Sequence, residues 1–335
     1  MGIYIREIEY YLPPNKVTNK ELQQLHPNWD MEKVFSKTGV LNRHIVTDET
    51  AYDLAKIAVE QLFIKKLISK SEIDGIIFCT QSPDYIMPSN AFLIHKEFSF
   101  NHKVWAFDYN LACSGFIYGL AIARGMIETG MAKNILLINA DTYSKYINHM
   151  DRSTAVLFGD GASVVVLSAC EDTKGIIDIT LSASGNEFNA FYIPAGGCRL
   201  PKNELTSIDK SDITGNKKSL ENIHMDGQAV WRFISKIVPS QIEEILQKNS
   251  LSINCIDQFI FHQASKLTID SLIKELGIEI AKVYMNIERI GNTVSASIPI
   301  ALCDAINDGR VKKGDIILLS GFGVGLSWGS ALFKF

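Results

Sequence analysis

The sequence lacks any apolar run long enough to cross a membrane. It also lacks an excess of one charge: 33 Lys and Arg residues stand against 37 Asp and Glu residues, for a net charge of −4. This balance argues against nucleic acid or an anionic membrane as the main partner. The six cysteines include no CxxC pair and no spacing typical of metal ligands. We therefore expect reduced thiols, no metal site and a cytoplasmic location, with an N-terminus that fits a strand better than a signal peptide.

The chain is long, and strand-like and helix-like segments alternate regularly along it. With 335 residues, 47% of them hydrophobic, it can bury a large core and form two domains or one duplicated unit. Strand-like and helix-like segments alternate, which predicts a layered α/β fold. The predicted strands are residues 73–79, 104–108, 135–139, 162–167, 258–261, 283–285, 316–320 and 327–333. The predicted helices are residues 52–67, 89–98, 113–128, 228–249, 266–276 and 292–307.

One comparison within the chain indicates a duplication. A predicted helix that starts at Cys113 and one that starts at Asn292 each reach a glycine 17 positions later, and each is followed by a lysine-containing turn and an apolar strand. Equal lengths alone are weak evidence of a repeat. If the two helices are equivalent, however, their N-termini converge and bring Asn292 near Cys113. Residues 186–218, which are polar and rich in Gly, Pro and Lys, predict a long surface excursion.

Cys113 is the first candidate for chemistry. It follows an apolar strand and precedes a helical pattern. A thiol at a helix N-terminus faces the positive end of the dipole and unpaired N–H groups, so we expect a lowered pKa and a favoured thiolate. Taken alone, a single cysteine is more often a small apolar core residue.

Three later segments favour a nucleophile over a core residue at Cys113. His262 ends a predicted strand, Asn292 lies among small polar residues, and residues 320–329 form a glycine-rich turn between two strands. Separately these fit a core or capping histidine, a helix N-cap and a hairpin with positive φ. Together they supply an imidazole and amide donors for a cysteine nucleophile. The combination predicts acyl transfer.

A series of short motifs runs along nearly the whole chain. In order they are Tyr11-Leu-Pro-Pro, Thr18-Asn-Lys-Glu-Leu, Lys37-Thr-Gly-Val, Arg43-His-Ile, residues 108–115, Asp151-Arg-Ser, Phe158-Gly-Asp-Gly-Ala, Met225-Asp-Gly, His262-Gln-Ala, Gly291-Asn-Thr, Gly321-Phe-Gly and Trp328-Gly-Ser-Ala-Leu. In content and spacing the chain resembles β-ketoacyl-acyl-carrier-protein synthase III, one of the thiolase-like condensing enzymes. The resemblance implies the five-layered αβαβα thiolase-like fold, internally duplicated, and a homodimer. It divides the chain into residues 1–170, which carry the cysteine, and residues 171–335, which carry the histidine and asparagine.

The Cys-His-Asn combination also separates related enzymes. Thiolases use a second cysteine near the C-terminal glycine turn, and this chain has none there. Relatives similar to chalcone synthases are longer and usually have proline where this chain has Val324. The resemblance is therefore closer to the type III synthase.

The resemblance implies a two-step reaction without metal or organic cofactor. Cys113 takes an acyl group from acyl-CoA, and the backbone N–H groups of Cys113 and Val324 form the oxyanion hole. His262 and Asn292 then hold the carbonyl of a malonyl thioester on acyl-carrier protein, while Phe322 shields the carboxylate that leaves as CO₂. The expected role is fatty-acid initiation or a specialised acyl or polyketide pathway.

The substrate-binding residues follow from the resemblance as well. They are Arg152, Trp29, Lys37, Lys266 and Met87. The family often stacks a tryptophan on the CoA adenine where this chain has Lys33, and Trp29, one helical turn earlier, is the candidate substitute. Met87 stands where a residue of the partner subunit caps the acyl pocket, and its flexibility suits groups larger than acetyl.

Two other functions stay open at this stage. One is acyl transfer from Cys113 to an oxygen or nitrogen nucleophile with no carbon–carbon bond formed. The other is a non-catalytic subunit of a heterodimer, which the presence of Cys, His and Asn disfavours. Acyl chain length, the choice between CoA and carrier-protein acceptors, and the pathway do not follow from the sequence.

Overall fold

The computed structural model describes residues 2–66, 68–170 and 175–335. The predicted helix end at residue 67 lies outside the described residues, as does residue 171, where the second half was predicted to begin. The strands are β1 Gly2–Tyr11, β2 Lys16–Thr18, β3 Asn42–His44, β4 Gly75–Cys79, β5 Trp105–Tyr109, β6 Asn134–Asp141, β7 Gly161–Cys170, β8 Gly175–Ala183, β9 Phe191–Tyr192, β10 Lys210–Ser211, β11 Lys217–Lys218, β12 His224–Met225, β13 Gln258–Phe261, β14 Ile316–Gly323 and β15 Ser327–Lys334. The helices are α1 Asn19–Leu25, α2 Met31–Thr38, α3 Ala51–Ile64, α4 Asn90–Glu97, α5 Gly115–Glu128, α6 Arg152–Ala155, α7 Gly227–Lys248, α8 Lys266–Leu276, α9 Ile287–Ile290 and α10 Ser297–Asn307.

Three apolar cores divide the molecule into five layers. Helices α3 and α4 pack on the outer face of the sheet that contains β4, β6 and β7. Helices α5 and α10 fill the space between that sheet and the sheet that contains β13, β14 and β15. Helices α7 and α8 cover the outer face of the second sheet. The order is therefore helix, sheet, helix, sheet, helix, which confirms the predicted αβαβα architecture.

The two large sheets repeat one topology. The first has the order β1-β7-β6-β4-β5 and the second has the order β13-β14-β15-β8. In each, two neighbouring parallel strands, β4 with β6 and β13 with β14, are followed by an antiparallel neighbour, β7 or β15. Helices α5 and α10 occupy equivalent places in the middle layer. The division into halves at residues 170 and 171 remains an interpretation of this repeat.

Several predicted boundaries are wrong for reasons that lie in tertiary contacts. Residues 283–285 make no strand, because only Val283 pairs with the sheet, through a single parallel bridge to Phe259. That bridge occupies the place that β5 occupies beside β4. Helix α5 begins at Gly115 and α10 begins at Ser297, so neither Cys113 nor Asn292 is the first residue of a helix. The helices have 14 and 11 residues, so their predicted equal length is also wrong.

Other elements end where local chemistry dictates. Helix α8 covers the predicted residues 266–276, because the Ser265 side chain accepts the Thr268 N–H at its start and Gly277 adopts φ 63° at its end. Residues 186–218 form an irregular excursion with only short strands, as predicted. Part of it folds inward, since Phe191 is buried. Among the described residues, no helix combines the length and apolar character needed to span a bilayer.

Candidate active site

Cys113 lies in the tight turn that joins β5 to α5 in the middle layer. The Gly115 N–H donates to the Ala112 carbonyl at 2.7 Å, which closes the turn at the first residue of the helix and leaves Cys113 two residues before it. The side chain is almost fully buried and packs with Tyr143, Phe191 and other residues of one apolar cluster. The sulfur therefore faces an enclosed space rather than solvent.

The charge state of Cys113 differs from the sequence prediction. Burial, with a smaller contribution from the negative charge of Asp141, raises the pKa of the Cys113 thiol to about 12. Hydrogen bonds from the N–H groups of Cys113 and Val324 lower this pKa but do not offset the burial. The predicted lowered pKa is wrong because the sequence could not show how deeply the turn is covered. The resting sulfur is a neutral thiol with two backbone donors against it.

His262 follows directly after β13 and is also buried. Its backbone N–H donates to the Ser320 carbonyl at 2.8 Å, and its ring lies edge-on to Phe322 with centroids 5.8 Å apart. Burial lowers the pKa of the imidazole to about 3, so the ring is neutral. Its Nδ1 is 2.5 Å from the Ser297 hydroxyl and its Nε2 is 3.4 Å from the Asn292 amide nitrogen.

Asn292 is held by main-chain contacts rather than by a helix start. Its N–H donates to the Leu157 carbonyl and its carbonyl accepts the Gly159 N–H, each at 2.9 Å. Its side-chain oxygen accepts the Val294 N–H at 2.9 Å, at a residue in the left-handed region with φ 54°. Because the oxygen is occupied, the amide nitrogen is the group left to face His262.

The glycine turn after β14 is shaped by close approach to Cys113. A Cβ on Gly321 would lie 2.8 Å from the Cys113 carbonyl oxygen, and a Cβ on Gly323 would lie 2.9 Å from the sulfur. Of the glycines in this turn, only Gly325 has the positive φ that the hairpin interpretation required. These glycines let the Val324 amide reach the sulfur.

One cavity of about 110 Å³ brings the four segments together. Cys113, His262, Asn292 and Phe322 all line it. The start of α5 lies close to the segment between Asn292 and α10, since a Cβ on Gly115 would lie 3.6 Å from the Ser295 side chain. A buried thiol, a neutral imidazole, an amide donor and two backbone N–H groups in one cavity can carry out acyl transfer through a covalent thioester.

Comparison with known proteins agrees with this chemistry. The family model for 3-oxoacyl-[acyl-carrier-protein (ACP)] synthase III matches residues 107–185, and the model of its C-terminal part matches residues 246–335. The chain is 41% identical over 324 residues to a β-ketoacyl-[acyl-carrier-protein] synthase III of Clostridium perfringens, covering 97% of this chain and 96% of the relative. The chain belongs to the β-ketoacyl-[acyl-carrier-protein] synthase III family.

Solved structures give the same result at the level of the fold. A crystal structure of a 3-oxoacyl-(acyl-carrier-protein) synthase III has a TM-score of 0.97 at 36% identity, covering all of both chains. The enzyme from Aquifex aeolicus has a TM-score of 0.85 at 35% identity, also over all of both chains. Members of the β-ketoacyl-[acyl-carrier-protein] synthase III family are acyl-transferring condensing enzymes, and this chain is one of them.

A second cavity, of about 330 Å³, is lined in part by Val324 and Gly325 of the same turn. Its walls are mainly aromatic: Tyr143, Tyr146, Phe188, Phe191 and Tyr192. One edge is polar, because the Tyr143 hydroxyl donates to the Gln81 side-chain oxygen and the Gln81 amide donates to Asn110 at 2.8 Å. This edge could not be predicted from the sequence, because Gln81, Asn110 and Tyr143 lie on separate segments with no common motif.

The residues proposed for substrate binding lie in several places. Trp29 and Arg152 line one surface cavity of about 340 Å³, where the Trp29 ring stacks on His26 with centroids 3.9 Å apart. Lys37 lies in the last turn of α2. Lys266, the first residue of α8, pairs with Asp270. Met87 lies on the loop between β4 and α4 and is 79% exposed. Trp29 and Arg152 thus line one cavity, and Lys37, Lys266 and Met87 do not line it.

Asp141 and Ser297 were also missed from the sequence. Asp141 is fully buried, accepts the Gln81 N–H at 2.8 Å and accepts the Ser295 hydroxyl at 2.5 Å. It therefore connects the end of β4 to the segment that carries Asn292.

No His, Cys, Asp or Glu cluster in the described ranges has the arrangement of a metal site.

Proposed function

We propose that this enzyme loads an acyl group from acyl-CoA onto Cys113 and condenses it with a malonyl group on acyl-carrier protein, releasing CO₂. The observation that carries the proposal is the single cavity that Cys113, His262 and Asn292 share, with two backbone amides at the sulfur. The names of the relatives, which are synthases acting with acyl-carrier protein, support the same acceptor.

In the loading step the neutral thiol loses its proton only as it reacts. Cys113 attacks the thioester carbonyl while its proton moves to Nε2 of His262. The N–H groups of Cys113 and Val324 stabilise the oxyanion, a contribution typically worth about 10²–10³ in rate per donor. The tetrahedral intermediate expels the CoA thiolate, which takes the proton from His262 and leaves as the free thiol.

In the condensing step the same groups act as donors. The malonyl thioester carbonyl accepts hydrogen bonds from His262 Nε2–H and from the Asn292 amide, so the enolate that forms when CO₂ leaves is stabilised. Phe322, beside His262, provides an apolar surface that disfavours the malonyl carboxylate relative to neutral CO₂. The enolate attacks the acyl thioester and expels Cys113, which regains a proton from water through His262. No step uses a metal or organic cofactor.

We assign the aromatic cavity beyond Val324 to the acyl chain and the cavity of Trp29 and Arg152 to the CoA nucleotide. The acyl assignment is supported by Tyr143 and Phe191, which line the aromatic cavity and pack in the cluster of Cys113. The nucleotide assignment is supported by an aromatic ring and a guanidinium in one surface cavity. The homodimer, the cap by Met87 and the cytoplasmic location stay predictions.

The test separates loading from condensation. The protein is incubated with a panel of acyl-CoAs, and intact mass is measured beside a Cys113→Ala control. Malonyl-carrier protein is then added, and CO₂ and the product thioester are quantified. Cys113-dependent loading followed by CO₂ release supports the proposal. Loading without CO₂ release, with transfer to an alcohol or amine, would instead indicate acyl transfer without carbon–carbon bond formation.

A further inference from the structure

The buried contact between His262 and Ser297 is the strongest feature that the proposed mechanism has not used. The two side chains are 1% and 0% exposed, and Nδ1 lies 2.5 Å from the hydroxyl oxygen. Ser297 is the first residue of α10, so a helix end fixes its position. The imidazole is thus bounded by a hydroxyl on the Nδ1 side and by the Asn292 amide on the Nε2 side.

A hydroxyl is an unusual choice of partner for a catalytic imidazole, and its chemistry is specific. A carboxylate or a backbone carbonyl can only accept, so it fixes the proton on Nδ1. A serine hydroxyl can accept from Nδ1–H or donate to a bare Nδ1. The buried carboxylate of this region, Asp141, is instead engaged by Ser295 and Gln81.

The two half-reactions need opposite forms of the ring. During loading, Nε2 must be bare to take the proton of Cys113, and Nδ1 carries the ring proton. During decarboxylation, Nε2 must carry the proton to hold the malonyl carbonyl, and Nδ1 is bare. In a buried site, a ring nitrogen without a partner in either form would lose a hydrogen bond that water otherwise supplies.

We propose that Ser297 is a positioning residue that pairs with both tautomers of His262 and so lets one histidine serve both half-reactions. The inference rests on the proposed function. Ser297 accepts from Nδ1–H while Cys113 is being loaded, and it rotates to donate to Nδ1 while the malonyl group is bound. The tautomers exchange when Nε2 gains a proton from water and Nδ1 returns one, between departure of CoA and arrival of the carrier protein.

The experiment measures the half-reactions separately in three variants. Ser297→Ala, Ser297→Thr and Ser297→Asp are loaded with acyl-CoA in timed quenches read by intact mass. Each is then taken to full loading by long incubation and mixed with malonyl-carrier protein, and CO₂ release is timed. Ser297→Ala should slow both steps by roughly 10- to 100-fold, since a buried nitrogen loses its partner. Ser297→Thr should recover most of each rate because it keeps the hydroxyl.

Ser297→Asp is the decisive variant. A carboxylate can only accept a hydrogen bond, so it keeps the ring proton on Nδ1. The loading rate should therefore stay within a few-fold of the parent rate, while the rate of CO₂ release falls at least roughly tenfold. If Ser297→Asp slowed loading and CO₂ release equally, the two-tautomer role would be overturned. Parent-like rates of both steps in Ser297→Ala would also overturn it. If the Ser297→Asp variant does not fold, the test is the comparison of Ser297→Thr with Ser297→Ala. Rates in Ser297→Thr that are no faster than in Ser297→Ala refute the inference.

The control is Ser168→Ala, because Ser168 is a buried serine of β7 with one short hydrogen bond, 2.6 Å to Asn134. It should cost stability without changing the ratio of the two rates. A parent enzyme that neither loads nor releases CO₂ would count against the proposed function itself, before any variant is compared.

Discussion

Replacing Gly323 by alanine should disable loading of Cys113, because the new methyl group collides with the nucleophile. Its Cβ would lie 2.8 Å from the Cys113 Cβ and 2.9 Å from the sulfur, whereas ordinary van der Waals contact begins at 3.4 Å. The sulfur or the Val324 amide must then move by about half an ångström, which equals the tolerance of a catalytic constellation. A displacement of about 1 Å can cost 10²-fold. We therefore expect loading to fall by roughly 10- to 100-fold.

The assay is the timed appearance of acylated protein by intact mass, with thermal unfolding followed on the same samples. The matched control is Gly125→Ala in α5, the helix that follows Cys113, where a Cβ would meet nothing within 4 Å. This control should load at the parent rate and gain about 0.5–1 kcal/mol of stability, because alanine favours a helix interior. Loading by Gly323→Ala within threefold of the parent, with unchanged stability, would refute the argument from close approach.

Three other changes test separate parts of the site. Asn292→Ala should load at a rate close to that of the parent but release CO₂ roughly 10²–10³-fold more slowly, measured by adding malonyl-carrier protein to acylated enzyme. Burial raises the pKa of Asp141 to about 7, so the fold disfavours its ionised form. The free energy of unfolding should therefore fall by on the order of 4 kcal/mol as pH rises from about 4 to about 7. Urea unfolding at about pH 4.5 and about pH 7.5 measures this fall, which should be smaller in Asp141→Asn. Gln81→Leu removes the link between Tyr143 and Asn110 and makes that cavity edge apolar. The ratio of loading rates for octanoyl-CoA over acetyl-CoA should then rise by roughly fivefold or more.

Local signals predicted the parts of the fold that local chemistry decides. Strand β13 and helix α8 have the predicted bounds, because a buried apolar run ends at His262 and a serine cap and a glycine end enclose the helix. The αβαβα layering follows from alternation of strands and helices and from the family resemblance. The strand predicted at residues 283–285 is wrong. Their apolar pattern fits a strand, but only Val283 reaches the sheet edge.

The site was predictable as a set of residues but not as a set of charges. Motifs indicated Cys113, His262 and Asn292, and the structure places all three in one cavity. The pKa of Cys113 depends on burial and on Asp141, which is distant in sequence and has no motif of its own. The polar edge at Gln81 and the contact of Ser297 with His262 likewise exist only after the layers assemble.

The resting site combines two neutral reactive groups with several hydrogen-bond donors. Burial raises the pKa of Cys113 and lowers the pKa of His262, so a thiolate–imidazolium ion pair is disfavoured in the resting site. The amides at the sulfur and the nitrogen of Asn292 are already in place, and they gain most when an oxyanion or enolate develops beside them. Such donors act on the transition state more than on the resting enzyme. A thiol that ionises only as its substrate reacts also has little reactivity toward oxidants, since the thiolate is the reactive form. The depth that makes Cys113 a poor nucleophile on its own therefore makes its reaction dependent on a correctly placed thioester.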